Sequence, residues 1–343
     1  MPKLYPLFRP LFFAIDPEAA HDIVFRGLDV AAALGVAQLS APHLPASPVN
    51  VMGIEFPNRV GLAAGLDKNA AHLRGLATLG FGFLEVGTVT PRPQPGNAKP
   101  RMFRLERSEA LINRLGFNND GVDRLVHNVT RSRYHGVLGI NIGRNFETPN
   151  ERAADDYVAC MRAIYPYASY ITINISSPNT KGLRDLHAED AFGALLGNLK
   201  SAESALAEKH GRRVPLVVKI APDLDRSAIE GIARLLVRHR IDGVIATNTT
   251  LGRDGVIDEE QADQAGGLSG KPLRDKSTAV IRTLAKALDG ALPIIGVGGI
   301  FSGADAHDKI DAGAMLVQIY TGLIYRGPAL VAECVKALAA APR

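Results

Sequence analysis

The stretch Ile171-Thr172-Ile173-Asn174-Ile175-Ser176-Ser177-Pro178-Asn179-Thr180 alternates apolar and polar residues and then breaks off into Ser, Pro and Asn. Such alternation reads as a buried strand. Pro178 has no N–H to give to a sheet ladder, so the strand ends near Ser177. Asn174, Ser177 and Asn179 are left at the mouth of whatever the strand packs into. On its own this end is equally a plain Asn/Ser/Pro turn with no chemistry attached.

The design recurs along the chain. From Val60 onward an apolar run, a polar or glycine-rich end and a helical stretch repeat without antiparallel meanders, the rhythm of parallel strands. Strands are expected at Val60–Leu66, Gly82–Val86, Val137–Ile142, Tyr170–Ser176, Leu216–Ile220, Gly243–Asn248, Pro293–Val297 and Met315–Tyr320. Helices are expected near Asn69–Leu79, Val122–Thr130, Ala153–Ile164, Ala191–Glu208, Ser227–Val237, Ser277–Leu288, Ala304–Ala312 and Pro328–Leu338. Eight strands predict an α/β chain folded as a (β/α)8 TIM barrel, whose active face lies at the strands' C-terminal ends. A doubly wound sheet is the alternative, but no G-x-G-x-x-G follows the first strand.

With 343 residues, 46% of them hydrophobic and 22% charged, the chain can bury a large core, and the length suits a barrel with an appendage. The net charge of +4 is spread along the chain, so nucleic-acid binding is not indicated. Cys160 and Cys334 are the only cysteines, which gives no support to a disulfide framework or a metal site.

Residues 1–45 form the expected appendage and residues 46–343 the barrel domain. Leu4, Tyr5, Leu7, Phe8, Leu11, Phe12 and Phe13 crowd beside Lys3, Arg9 and Arg26, but Arg9 and Pro10 interrupt the run. It is far shorter than the roughly 18 residues of a spanning helix. Asp16-Pro17-Glu18 then opens a second helix, with a cap residue, Pro at the first position and an early acid. Two short amphipathic helices result, and the pattern fits a cap on a barrel end more readily than an element lying on a membrane. Ala41 to Pro48 is the linker.

The strand ends carry the candidate chemistry. The first ends in Ala64-Gly65-Leu66-Asp67-Lys68-Asn69, the second in Glu85-Val86-Gly87-Thr88, the third in Asn141, the fifth in Lys219 and the sixth in Thr247-Asn248-Thr249. The excursion Pro91–Asn119 is too long and polar for a routine connection and is expected to fold over the mouth. Gly296-Val297-Gly298-Gly299-Ile300 and Tyr320-Thr321-Gly322 look like the phosphate site that barrels build after strands seven and eight, and Gly266 to Gly270 adds a loop open to close approach. Asn113, Asn174, Asn179 and Asn248 would converge on one mouth. Their amides suit a ring edge that alternates C=O and N–H, as a pyrimidine does. Lys68 offers a cation for a carboxylate, while Lys219 suits either charge stabilisation or a Schiff base. No His or acidic pair sits at these ends, which leaves Ser177 as the best proton acceptor.

The runs Ala64 to Asn69, Asn113-Arg114-Leu115-Gly116-Phe117-Asn118, Asn174 to Thr180 and Gly296 to Ile300 resemble, in order and spacing, the dihydroorotate dehydrogenase family, specifically its quinone-dependent class 2 branch. The resemblance covers nearly the whole chain. It implies an FMN enzyme that oxidises (S)-dihydroorotate to orotate in pyrimidine (UMP) synthesis with a membrane quinone as acceptor. By matching position, FMN would be held by Ala64, Gly65, Leu66, Asp67, Lys68, Thr88, Asn141, Asn174, Lys219, Thr247, Gly270, Gly299, Tyr320 and Thr321. Substrate would meet Lys68, Asn113, Arg114, Leu115, Gly116, Phe117, Asn174, Asn179, Asn248 and Thr249. Ser177 matches the catalytic base, where soluble class 1 enzymes carry Cys, and His21, Arg104 and Tyr320 would line the quinone site. The resemblance further implies no metal and a monomer held peripherally on the cytoplasmic face of the cell membrane. A serine base needs a relay or exclusion of water by the loop Thr180–Leu186. Two rival readings remain at this point, a Schiff-base lyase acting through Lys219 and a membrane-peripheral flavin-binding protein without turnover.

Overall fold

The computed structural model describes residues 5–36, 42–180, 183–184 and 189–340. Lys3, Leu4, Ala41 and most of the loop Thr180–Leu186 lie outside or at the edge of that set. Helix α1 (Tyr5–Phe13) and helix α2 (Pro17–Ala33) come first, then a hairpin of β1 (Val49–Val51) and β2 (Ile54–Phe56). β3 (Val60–Leu62) and β4 (Phe83–Val89) open the barrel, and β5 (Met102–Leu105) and β6 (Ala110–Asn113) form a hairpin outside it. β7 (Val137–Ile142), β8 (Tyr170–Asn174), β9 (Leu216–Ile220) and β10 (Gly243–Ala246) continue the barrel. β11 (Gly267–Gly270) then leaves to pair with β6, and β12 (Ile294–Val297) and β13 (Leu316–Ile319) complete the ring. The eight barrel strands are parallel, and β13 pairs with β3 to close them. The eight expected strands are therefore all present.

Their limits, and the elements between them, differ from expectation. The fourth strand stops at Asn174 because its side-chain oxygen accepts from Ser176 N and Ser176 Oγ, both at 3.2 Å, and turns the chain. The helix expected at Asn69–Leu79 shrinks to Leu73–Leu76 and a short 3₁₀ turn. Asp67 accepts from Ala71 N at 2.9 Å and His72 N at 2.8 Å, so its carboxylate holds Asn69 to His72 in a loop. Pro10 does not break α1 but sits inside it. Antiparallel structure, not expected at all, occurs twice: the β1–β2 hairpin and the three-stranded sheet β11-β6-β5. The excursion Pro91–Asn119 supplies two of that sheet's strands, β5 and β6, with irregular chain on either side.

Strand register decides which side chains enter the barrel, since alternate residues face inward. Phe83, Tyr170, Val217, Ile245, Ile295 and Leu316 form a lower apolar layer, closed from below by Val51 and Phe56 of the hairpin. The rings of Phe56 and Phe83 meet edge to face at 5.1 Å. Two inward positions must stay empty for the rings: a Cβ at Gly61 would lie 2.3 Å from Phe83, and one at Gly139 2.2 Å from Tyr170. One step further up, the inward residues turn polar: Glu85, Asn141, Thr172, Asn174, Lys219 and Gln318 are all buried.

α2 begins as its sequence dictates, with Asp16 accepting from Glu18 N at 3.0 Å and Ala19 N at 2.9 Å. Arg104 of β5 donates to Phe12 O, Phe13 O and Ile15 O and so caps the C-terminal end of α1. Arg101, which is buried, clamps α2 through both oxygens of Glu18 and also donates to Pro95 O and Asn97 O. Glu18 is part-buried and keeps Lys99 Nζ at 3.5 Å as a second cation, so losing the Arg101 fork is expected to cost about 1.5–3 kcal/mol, the worth of hydrogen bonds to a charged group. Arg101→Ala is therefore expected to lower unfolding stability by about that amount, with Arg101→Lys recovering only part of it because an ammonium cannot fork. Denaturant titration measures it, and an unchanged midpoint for Arg101→Ala would refute the clamp.

Candidate active site

The C-terminal ends of the barrel strands surround a cavity lined by Ala64, Gly65, Lys68, Thr88, Asn113, Leu115, Gly116, Phe117, Asn174, Ser177, Asn179, Lys219, Thr247, Asn248, Thr249, Gly270, Gly299, Tyr320 and Thr321. The structure thus brings together most of the residues proposed from sequence. Four it places elsewhere. Asn141 lies beneath the cavity, donating to Glu85 Oε1 at 2.9 Å and accepting from Thr88 Oγ1 at 2.6 Å and Asn174 Nδ2 at 3.2 Å. Asp67 is spent on the loop before Leu73, and burial raises its pKa against those hydrogen bonds. Leu66 faces a second cavity. Arg114 stacks on Phe103 at 4.6 Å and donates to Gln264 Oε1 and Pro100 O, tying β6 to the segment before β11.

Asn174 is the meeting point of the site. Its amide nitrogen gives hydrogen bonds to Thr88 and Asn141, and its oxygen accepts from Ser176 and, at 3.4 Å, from Asn248 Nδ2. Asn248 also donates to Ser176 Oγ at 2.9 Å. Asn113 accepts from Asn179 Nδ2 at 3.3 Å, which links β6 across the mouth to the loop after β8. Ser177 Oγ accepts from Asn179 N at 3.2 Å, so its own proton is not engaged by that bond. Both cavity lysines are desolvated: burial pushes Lys68 down to about 8 and lowers Lys219, which Glu85 opposes. No hydrogen-bond acceptor among the described residues takes either ammonium.

The glycines expected at the last two strands do form tight turns. Gly298 and Gly299 have φ of +125° and +71°, and a Cβ at Gly299 would come within 2.4 Å of Arg274, so only glycine fits this turn. Gln318, which sequence reasoning missed, lines the cavity floor with a buried carbonyl oxygen that has no partner. A lone Gln in an otherwise apolar strand was the available signal. Glu85, equally unassigned, accepts from Tyr170 OH at 2.9 Å and Gln318 Nε2 at 2.7 Å.

A second cavity of about 380 Å³ lies between α1, α2 and the outer sheet, lined by Phe12, Phe13, Ala20, His21, Val24, Phe25, Leu28, Leu66, Met102, Arg104, Leu111, Leu323 and Tyr320. It falls within the size range of small-molecule sites. His21 Nε2 meets Leu66 O at 2.7 Å, and burial lowers the pKa of that ring. Tyr320 borders both cavities. Of the 14 large apolar residues exposed among the described ones, eight lie in residues 1–36, among them Leu7, Leu11 and Leu34 at 72%, 66% and 73% exposure. No helix among the described residues is long and apolar enough to cross a membrane.

A family model described as dihydroorotate dehydrogenase matches residues 47–341. A protein of Thiobacillus denitrificans named dihydroorotate dehydrogenase (quinone) is 63% identical over 336 residues, covering 98% of this chain and 99% of its own. A Burkholderia pseudomallei (strain K96243) protein of the same name is 60% identical over 337 residues, covering 98% of both. Among solved structures, DHODH from Eimeria tenella in complex with ferulenol aligns with a TM-score of 0.85 at 39% identity, over 94% of this chain and 90% of its own.

The mouth depends on one carboxylate that the catalytic motifs do not include. Asp223 takes hydrogen bonds or ion pairs from Arg184, Lys276, Thr250 and Leu251 N, and Arg184 in turn donates to Ser176 O and Thr249 O. Burial alone would raise Asp223, but these donors hold it down at about 2, against an ordinary 3.8. A depressed carboxylate contributes fully above its ordinary pKa and is lost as pH falls toward the folded one. Acid titration of stability should therefore fall between about pH 4 and pH 2 more steeply in the wild type than in Asp223→Asn, and parallel curves would refute the assignment.

Proposed function

The chain belongs to the dihydroorotate dehydrogenase family, and from that premise we propose how its two cavities share one reaction. It is an oxidoreductase that converts dihydroorotate to orotate in pyrimidine synthesis, uses a flavin and delivers electrons to a quinone. The lyase reading of Lys219 and the reading without turnover therefore fall away. We infer FMN as the flavin. The glycine turn at Gly298 and Gly299, with Gly270 and Thr321 beside it, is a backbone cradle suited to a phosphate. Lys219 and the unpartnered Gln318 oxygen supply a donor and an acceptor at the cavity floor. Ala64, Gly65, Thr88, Asn174, Thr247 and Tyr320 complete the walls, and Asn141 acts by holding Thr88 and Asn174. When bound, FMN supplies the acceptor for a hydride from the substrate and the donor of electrons to the quinone.

The observation that carries this reading is the single side chain, Tyr320, shared by a polar and an apolar cavity. On the polar side, Lys68 offers an ammonium to the substrate carboxylate, while Asn113, Asn179, Asn248 and Thr249 present amide and hydroxyl groups to its ring, with Leu115, Gly116 and Phe117 covering it. Ser177 takes the proton next to the substrate carbonyl. On the apolar side, His21 and Arg104 orient the quinone carbonyls at the inner end of a hydrophobic chamber. The barrel domain, residues 46–343, carries the flavin and substrate, and residues 1–45 carry the quinone entrance. The exposed apolar residues of α1 and α2 lie against the cytoplasmic face of the membrane, with Arg9 and Arg26 favouring anionic lipid. The protein works as a monomer there.

Ser177→Ala should retain flavin colour and orotate binding, yet slow anaerobic flavin reduction by dihydroorotate by about two to four orders of magnitude. Stopped-flow absorbance decides it, and an unaltered rate would remove Ser177 from the reaction. The double substitution Leu7→Glu and Leu11→Glu alters only exposed positions. Burying two leucines contributes about 1.5–3 kcal/mol each, so vesicle binding should weaken by at least about two orders of magnitude. Quinone turnover on vesicles should fall with it, while reduction of the flavin by dihydroorotate persists. Undiminished sedimentation with anionic vesicles would show that the helices only cover the barrel.

A further inference from the structure

Glu85 is wholly buried inside the barrel, yet its partners are neutral: Asn141 Nδ2 at 2.9 Å, Tyr170 OH at 2.9 Å and Gln318 Nε2 at 2.7 Å. Its two oxygens accept from three donors, the arrangement of an ionised carboxylate, which has nothing to donate. A buried charge without a counter-charge is strongly disfavoured. Lys219 shares the polar layer: its strand β9 pairs with β8 so that Lys219 opposes Asn174, and Asn174 donates to Asn141 as Asn141 donates to Glu85, so the two charges lie at opposite ends of one network without a direct ion pair among the described residues. Lys219 is itself 6% exposed and has no hydrogen-bond acceptor among the described residues. The carbonyl oxygen Gln318 Oε1 and the hydroxyl Thr172 Oγ1, also in that layer, are buried without hydrogen-bond partners. Burial works to strip the Lys219 ammonium of its proton, and Glu85 is the one charge opposing that loss.

We propose that Glu85 is a positioning residue that keeps Lys219 protonated at the floor of the flavin site, so that the negative charge added on flavin reduction meets a cation rather than a neutral amine. The inference rests on the reading of the upper cavity as the flavin site. Across the layer, Asn141, Tyr170 and Gln318 hold the carboxylate one level below the ligand. The pair is thus separated: the cation faces the cavity while the anion is kept from it.

The test is the midpoint potential of the bound flavin at pH 7, measured on holoenzyme for the wild type, Glu85→Gln, Lys219→Met and the double variant, with FMN in excess. If Glu85 retains the proton on Lys219, Glu85→Gln shifts the reduced-to-oxidised balance toward oxidised by at least about tenfold. That corresponds to a fall of about 30 mV for a two-electron couple. Glu85→Gln should then add nothing to Lys219→Met. A rise in potential for Glu85→Gln would mean that Lys219 keeps its charge unaided and that only an anion was removed, which overturns the proposal. Should Glu85→Gln fail to fold, the double variant decides, since neither member of the pair is then charged. A folded double variant supports the pairing, and failure of both assigns Glu85 to packing alone and overturns it. A wild-type protein that neither carries nor takes up FMN, seen directly in its absorbance, would sink the reading of the cavity and the proposal with it.

Discussion

The carboxamide of Asn141 joins the structural half of this barrel to the chemical half. Below it the interior is apolar, plugged by Val51 and Phe56 and filled by the rings of Phe83 and Tyr170. At its level the interior turns polar, and a polar group sealed from water must find a partner or lose several kcal/mol. Asn141 donates downward to Glu85 and accepts from Thr88 and Asn174 above, so one planar group fixes the heights of three others. Asn174 passes that order on to Ser176 and Asn248. The residues that face the ligand space are therefore placed by a continuous network that starts inside the barrel, rather than by loops free to move independently. Tyr157 adds a support from outside, its hydroxyl donating to Asn174 O at 2.8 Å.

The barrel was legible because each of its strands carries its own signal, an apolar run ending in polar or glycine residues, and parallel strands need no knowledge of their partners to be recognised. The antiparallel parts lacked that property. β1 and β2 have three residues each, too few for alternation to stand out. The outer sheet is held by pairings such as Asn113 with Gly267, between segments far apart in the chain, which no local pattern records. The site residues divide in the same way. Ser177, Asn179, Asn248 and Lys219 were found because strand ends must face the mouth. Asp67, Leu66 and Arg114 lie in the same motifs but turn away from the cavity, and Asn141 points toward it from one level below, held by Thr88 and Asn174, since membership in a motif does not say what a residue touches. Asp67 goes to backbone N–H groups and Arg114 to the face of Phe103. Gln318 stood in plain view as the lone polar residue of β13, and Glu85 as the lone charged residue of β4. Their meaning is relational, because each is explained only by the other and by residues on two further strands.

A dihydroorotate-oxidising enzyme that reduces a quinone handles two partners that do not share a solvent, and the fold answers with a wall. One face of the outer sheet and Tyr320 separates the amide-lined cavity from the apolar chamber: Asn113 and Ser269 belong to the first, Met102, Arg104 and Leu111 to the second. Arg104 serves that wall twice, since the guanidinium at the chamber's edge also caps α1 and stacks on Phe13 at 4.7 Å. Removing the helices would thus open the chamber and also leave β5 with an unpaired cation, so the appendage and the barrel are coupled in stability as well as in use. His21 makes the same link from α2, bonded to the carbonyl of Leu66 in the loop that also carries Lys68. Two spaces of opposite character therefore meet at one side chain, since Tyr320 is the residue that lines both cavities while every other lining residue belongs to only one of them.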